Sequence, residues 1–123
     1  MTYQGLDVYR KSYSLALEIH RLSLNFPSLE QREVASQIRR SSKSIPVNIA
    51  EGMGKQESKA DIRRYIRIAI GSNDETMVWL RLSRDLGYLD DRVSKQYLDR
   101  YSEVGKMLRG ILKRYSWYLA TSF

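Results

Sequence analysis

The sequence predicts an all-α protein: one antiparallel, up-down-up-down four-helix bundle spanning residues 1–123. Three observations lead there. The chain holds only two prolines and seven glycines, which leaves little room for loop-rich or extended architecture. Its breaking signals (Asn25-Phe26-Pro27, Gly52-Met53-Gly54 and Gly87) divide it into four long segments. In each segment apolar residues recur at helical spacing, and none shows sustained alternation with β-branched enrichment. Short connections between long helices make sequential neighbours antiparallel.

The first helix runs from about Leu6 to Leu24 and ends before Pro27, because proline disfavours helix in the residue before it. It is apolar on two sides, Val8, Leu15, Ile19 and Leu22 on one and Leu6, Tyr13 and Leu17 on the other. The second runs from about Glu30 to Glu51, with Val34, Ile38, Ser41, Ile45, Asn48 and Ile49 on one face. Pro46 lies inside it, lacks a backbone donor and presses on the preceding turn. A kink near Ser42–Ile45 is expected because the apolar stripe stays in phase, and a break into two short helices is the alternative.

The third helix opens at Ser58, with Asp61 in the reciprocal capping position, and stops at Gly87 after Leu86. Its core stripe is Ile62, Ile66, Ala69, Asn73, Met77 and Leu80. The fourth starts at Asp90-Asp91, acids that suit a helix N-terminus, and runs to about Leu119. It carries Tyr97, Tyr101, Val104, Leu108, Ile111, Leu112, Tyr115 and Leu119 on one face. The third helix has a second apolar seam, Ile68, Trp79, Leu82 and Leu86 flanked by Val78. Two readings are open: an interface with another protomer, or packing of Trp79 and Leu82 on the first helix.

Catalytic chemistry finds little to work with. There is no cysteine and a single histidine, His20, so thiolate sites and histidine-rich metal sites are excluded within one chain. The paired Glu-x-x-His motifs of di-metal bundles and the phosphate-binding glycine loops are absent from the sequence. Gly52-Met53-Gly54-Lys55 follows a helix and reads as a turn. Glu51, Asp74 and Glu75 are the carboxylates near apolar stripes, and they read as caps or arginine partners. The expectation is a non-enzymatic protein with no cofactor, metal or small-molecule substrate. With no basic, apolar leader and no charge-free run longer than 115–123, a cytoplasmic location is expected.

Net charge is +7, and the excess lies in the second half: nine Lys/Arg against seven Asp/Glu in residues 1–62, twelve against seven in 63–123. Such a balance favours polyanionic partners. Arg32, Arg39, Arg40 and Lys43 gather opposite the core stripe of the second helix. Arg63, Arg64 and Arg67 lie on the first turns of the third, and Lys106, Arg109 and Lys113 share one face of the fourth beside Gly110. These ten residues are candidates for sequence-tolerant RNA or DNA contact. The alternative is an ordinary solvated face. Arginine also interleaves with aromatic residues (Arg64-Tyr65, Arg100-Tyr101, Arg114-Tyr115-Ser116-Trp117), although most of the tyrosines read as core packing and Trp117 and Tyr118 are open.

Tyr3-Gln4-Gly5-Leu6-Asp7-Val8-Tyr9, Gln37-Ile38-Arg39-Arg40-Ser41-Ser42, the block Ser44-Ile45-Pro46-Val47-Asn48-Ile49-Ala50-Glu51-Gly52, and Ile68-Ala69-Ile70-Gly71-Ser72 with Glu75 resemble a known family. It comprises the bacterial four-helix-bundle proteins encoded in intervening sequences of large-subunit ribosomal RNA genes. The sequence also looks like the accessory variability determinant (Avd) of diversity-generating retroelements, in the same superfamily. The resemblance implies an assembly into a barrel-like homopentamer without enzymatic activity, which agrees with reading the extra seam of Ile68, Val78, Trp79, Leu82 and Leu86 as an oligomer interface. For Avd-type members it implies nucleic-acid binding and association with a reverse transcriptase. A protein-protein scaffold without direct nucleic-acid contact is the alternative. Pro46, Asn48, Glu51, Gly52, Gly71 and Glu75 carry the signature and read as structural: a kink, a glycine for close helix approach, and two acids as buried or inter-subunit partners.

Overall fold

The structure is a computed structural model that describes residues 2–55 and 57–121, with side chains described to residue 116. The expectations placed on Trp117, Tyr118 and Leu119 fall outside the described side chains. Helices α1 (Asp7–Ser23), α2 (Val34–Met53), α3 (Lys59–Asp85) and α4 (Asp91–Thr121) form the bundle, and no strand occurs among the described residues. Each helix packs on its chain neighbours and α1 also touches α4, so α1 and α3 stand on one diagonal and α2 and α4 on the other.

Local chemistry accounts for the helix ends. Ser58 Oγ accepts from the Asp61 backbone N–H at 3.2 Å, capping α3. Asp90 Oδ1 accepts from Val93 N–H at 2.7 Å and caps α4. At the other end of α3, Gly87 takes φ +82°, the left-handed region that suits glycine. Its N–H reaches the Arg84 carbonyl at 2.9 Å, and Tyr88 N–H reaches Ser83 at 2.8 Å. That pair of bonds satisfies carbonyls which the helix end would otherwise leave open.

One boundary differs from the sequence expectation. α2 begins at Val34, because Ser28–Glu30 forms a separate 3-10 turn and Gln31 to Glu33 a further turn. The alternative of a break at Pro46 is not realised: α2 runs through it without interruption, and the proline is buried.

Isoleucine is the commonest residue of the core. Ile19, Ile38, Ile45, Ile49, Ile62 and Ile66 are fully buried with Leu15, Leu80, Val104, Leu108 and Tyr101. Each such aliphatic side chain contributes about 1.5–3 kcal/mol on leaving water. Between α2 and α3 the contact is polar and tight. Thr76 Oγ1 lies 2.8 Å from both Ser41 Oγ and the Ser72 carbonyl, Ser44 and Ser72 hydroxyls lie 2.8 Å apart, and Asn48 Nδ2 donates to the Ser44 carbonyl at 2.8 Å. Small hydroxyl side chains let the two helices approach and fix their register. Further along, Gly52 leaves room for α3: a Cβ there would stand 2.9 Å from Tyr65 Cβ. The α1–α4 seam is ionic, with Arg100 donating to both Glu18 oxygens at 2.9 and 2.5 Å. Those bonds hold the Glu18 carboxyl below its usual range, while burial pushes the Tyr97 phenol beside it up.

Candidate nucleic-acid interface

The ten predicted cations do not form one surface. The α2 cluster is largely committed within the protomer. Arg39 is half-buried: its guanidinium donates to Ser23 Oγ at 2.8 Å, to Gln31 Oε1 at 3.2 Å and to the Gln31 carbonyl at 2.9 Å. Gln31 Nε2 in turn donates to the carbonyls of Ser23 and Phe26, both at 2.9 Å. Arg39 therefore staples the α1–α2 connection to α2. Arg40 pairs with Glu75 of α3 and bonds Gln37 at 3.2 Å. Lys43 Nζ lies 3.0 Å from His20 Nδ1, and this neighbour, with burial and Arg39, pushes the His20 pKa down. Neutral His20 accepts from the lysine. Arg32 stands exposed before the first residue of α2.

The second cluster is brought together. α3 and α4 run antiparallel, tied where Asn73 Nδ2 donates to the Tyr101 carbonyl at 2.9 Å and Arg109 approaches Asp74 at 3.4 Å. This register sets the N-terminal half of α3, with Arg63 and Arg67, beside the C-terminal half of α4, with Lys106, Arg109 and Lys113. All but Arg63, which is half-buried, are exposed. Asp74 is the acid that reaches this face, and Arg109 holds it weakly. Gly110 is exposed with open space around it. Arg64 faces away from α4 and lies over the Tyr65 ring, 5.5 Å from its centroid. Arg114 covers Tyr115 at 5.6 Å, whereas Arg100 covers Tyr97 at 5.5 Å and not the adjacent Tyr101, which is fully buried.

The signature residues divide by role. Gly52 is the close-approach glycine. Gly71 is not one within the protomer, since a Cβ there would meet nothing within 4 Å. Neither acid is buried: Glu51 is exposed, and Glu75 is half-exposed, bonding Arg40 and accepting from Trp79 Nε1 at 2.9 Å. The reading in which Trp79 and Leu82 pack on the first helix is not what the bundle shows: no Cα of α3 comes within 8 Å of one in α1, and Leu82 stays exposed. Trp79 is half-buried against the core, while Ile68, Val78, Leu82 and Leu86 remain exposed.

The sequence model of the 23S rRNA-intervening sequence protein matches residues 4–110. The chain belongs to this family. A crystal structure of a family relative supports the assignment: a protein of unknown function from the S23 ribosomal protein family of Bacteroides thetaiotaomicron superimposes with a TM-score of 0.77 at 31% identity, over 86% of this chain and 95% of the other. No curated protein matches. The match to the intervening-sequence family covers all of α1 to α3 and α4 up to Gly110, so the signature blocks and most of the α3–α4 basic face lie within it. Among the described residues no cluster of His, Cys, Asp and Glu could hold a metal ion, and no helix is long and apolar enough to cross a membrane.

Sequence reasoning missed a further feature of the chain. A groove of about 960 Å³ runs between α1 and α2, lined by Tyr3, Tyr9, Tyr13, Leu17 and Val47, with His20 and Lys43 at one end and Glu51 and Lys55 at the other. The signal available was the second apolar side of the first helix, Tyr13 and Leu17.

Proposed function

We propose that this protein is a self-associating, non-enzymatic accessory protein that binds RNA or DNA without strong sequence preference through the α3–α4 face. The observation that carries the reading is the meeting of Arg63, Arg67, Lys106, Arg109 and Lys113 on one face whose neighbouring acid is Asp74. A face meant only for solubility normally mixes signs. Exposed Gly110 allows a phosphate backbone to approach closely. The resemblance to Avd-type proteins supports a role beside a reverse transcriptase, and it supports a homopentameric assembly. Titration of RNA and DNA across a salt series tests the surface. Neutralising Arg109 and Lys113 is expected to weaken binding to both polymers alike and to flatten the salt slope by about one for each phosphate the protein no longer neutralises. Unchanged binding at low salt overturns it.

A second reading, a protein-protein scaffold, is favoured by the commitment of Arg39, Arg40 and Lys43 inside the protomer. It predicts an assembled particle that binds neither polymer.

A further inference from the structure

The pairing of α1 with α4 shapes a site that borders the basic face. Arg100 holds Glu18 and Lys11 holds Glu103, so the two helices run antiparallel and the start of α1 lies beside the later turns of α4. There the chain leaves a notch of about 320 Å³, lined by Leu6, Val8, Met107 and Ile111. Val8 is buried and the other three are half-buried. The exposed members of the lining are Asp7, Gly110 and Arg114. We propose that this notch takes one unstacked base of a single-stranded RNA or DNA whose phosphates lie on Lys106, Arg109 and Lys113. The proposal rests on the nucleic-acid reading above and names the form of polymer that the face takes.

The helical register of α4 joins the notch to the cations. At about 100° per residue, Lys106, Arg109 and Lys113 fall within about 60° of one another, and Met107, Ile111 and Arg114 within about 60° on the next sector of the same helix. Gly110 falls between the two sectors, and a Cβ there would meet nothing within 4 Å. Glycine weakens the middle of a helix, and no neighbour within the chain requires one at this position. What the missing side chain leaves is a low crossing from the cations to the notch. A strand held by its phosphates on one side of Gly110 can turn a base over it to the other.

The lining suits a base. The volume lies at the small end of ligand sites, which run to about 300–1,000 Å³, and gives room for one base with its sugar. Leu6, Met107 and Ile111 offer apolar contact to the face of any base, so the site adds affinity without choosing a sequence. Arg114 lies over the Tyr115 ring, 5.6 Å from its centroid, and pairs with no carboxylate among the described residues. Its guanidinium is a plane on which a base can stack. Asp7 alone would repel a phosphate, but its carboxylate is bonded to Arg10. A base inside a duplex reaches such a notch only by giving up its partner and its stack, which makes the single strand the better ligand.

The test uses two fluorescent DNA single strands of equal length and charge, a thymine homopolymer and one with abasic sugars in place of the nucleosides, each titrated across a salt series. The unmodified protein is expected to bind the thymine strand at least about fivefold more tightly, the effect of one stacked base. Leu6→Ser and Met107→Gln add no charge, and each is expected to remove that advantage while leaving the abasic affinity and the salt slopes unchanged. Loss of structure would lower both affinities together, so the ratio between the strands is the readout. Equal affinity of the unmodified protein for the two strands overturns the notch, and so does an advantage that survives in both variants. Binding to neither strand, or binding indifferent to neutralisation of Arg109 and Lys113, overturns the reading of the basic face itself.

Discussion

Replacing Gly52 with alanine sets two effects of known size against each other. Alanine is favoured over glycine inside a helix by about 1 kcal/mol. The new methyl would stand 2.9 Å from Tyr65 Cβ and 3.4 Å from the Ile62 carbonyl oxygen. Tyr65 Cβ is fixed to the α3 backbone, so no rotamer change relieves the clash. α2 and α3 must part by roughly half an ångström, and gaps of that size forfeit about a quarter or more of each dispersion well along the seam. Overpacking of this kind costs about 1–3 kcal/mol. The balance is a net destabilisation of up to about 2 kcal/mol. Gly110→Ala is the matching control, because its Cβ meets nothing within 4 Å in α4 and the substitution is expected to gain up to about 1 kcal/mol. The assay is urea unfolding followed by circular dichroism at one fixed protein concentration, since association makes stability concentration-dependent. If Gly52→Ala proves as stable as Gly110→Ala, the close crossing of α2 and α3 is refuted.

Arg39→Met should lower stability by about 1–3 kcal/mol, because it removes charge-assisted bonds to Ser23 and Gln31 in a half-buried site. The same variant should leave the salt slope of nucleic-acid binding unchanged, and a flattened slope would place Arg39 on the interface instead. His20 carries a pH signature. Its folded pKa is pushed down, chiefly by Lys43, so on acidification the unfolded chain takes up a proton before the folded one. Stability therefore declines as pH falls below the ordinary histidine value of about 6.5. His20→Gln should decline less between pH 7 and pH 5, and parallel urea midpoints for the two proteins would count against the Lys43 contact.

The bundle is legible in the sequence because its information is periodic. Ile62, Ile66, Ala69, Asn73 and Leu80 are all buried, and the Ser58 cap and the Gly87 stop are realised as read. What escapes is information held in the meeting of distant segments. Arg39 reads as one more cation on a charged face until the chain turns back at residues 24–33 and brings Ser23 and Gln31 to its guanidinium. Gly52 and Gly71 are alike in sequence, and only the approach of Tyr65 to one of them separates their roles. The start of α2 reads too early because Glu30 looks like a first-turn acid. In the fold its carboxylate instead accepts from the Tyr88 hydroxyl at 2.6 Å.

The hydroxyl-lined seam between α2 and α3 also bears on the order of folding. These helices are joined by residues 54–58, so their contacts close a short loop at little entropic cost. Local contacts of this kind form early, and the bonds among Ser41, Ser44, Ser72 and Thr76 select one alignment as the hairpin zips. α1 docks across a longer connection whose staple, Arg39 on Gln31, requires α2 to be in place first. The α2–α3 hairpin thus supplies the surface to which the end of α1 is fastened.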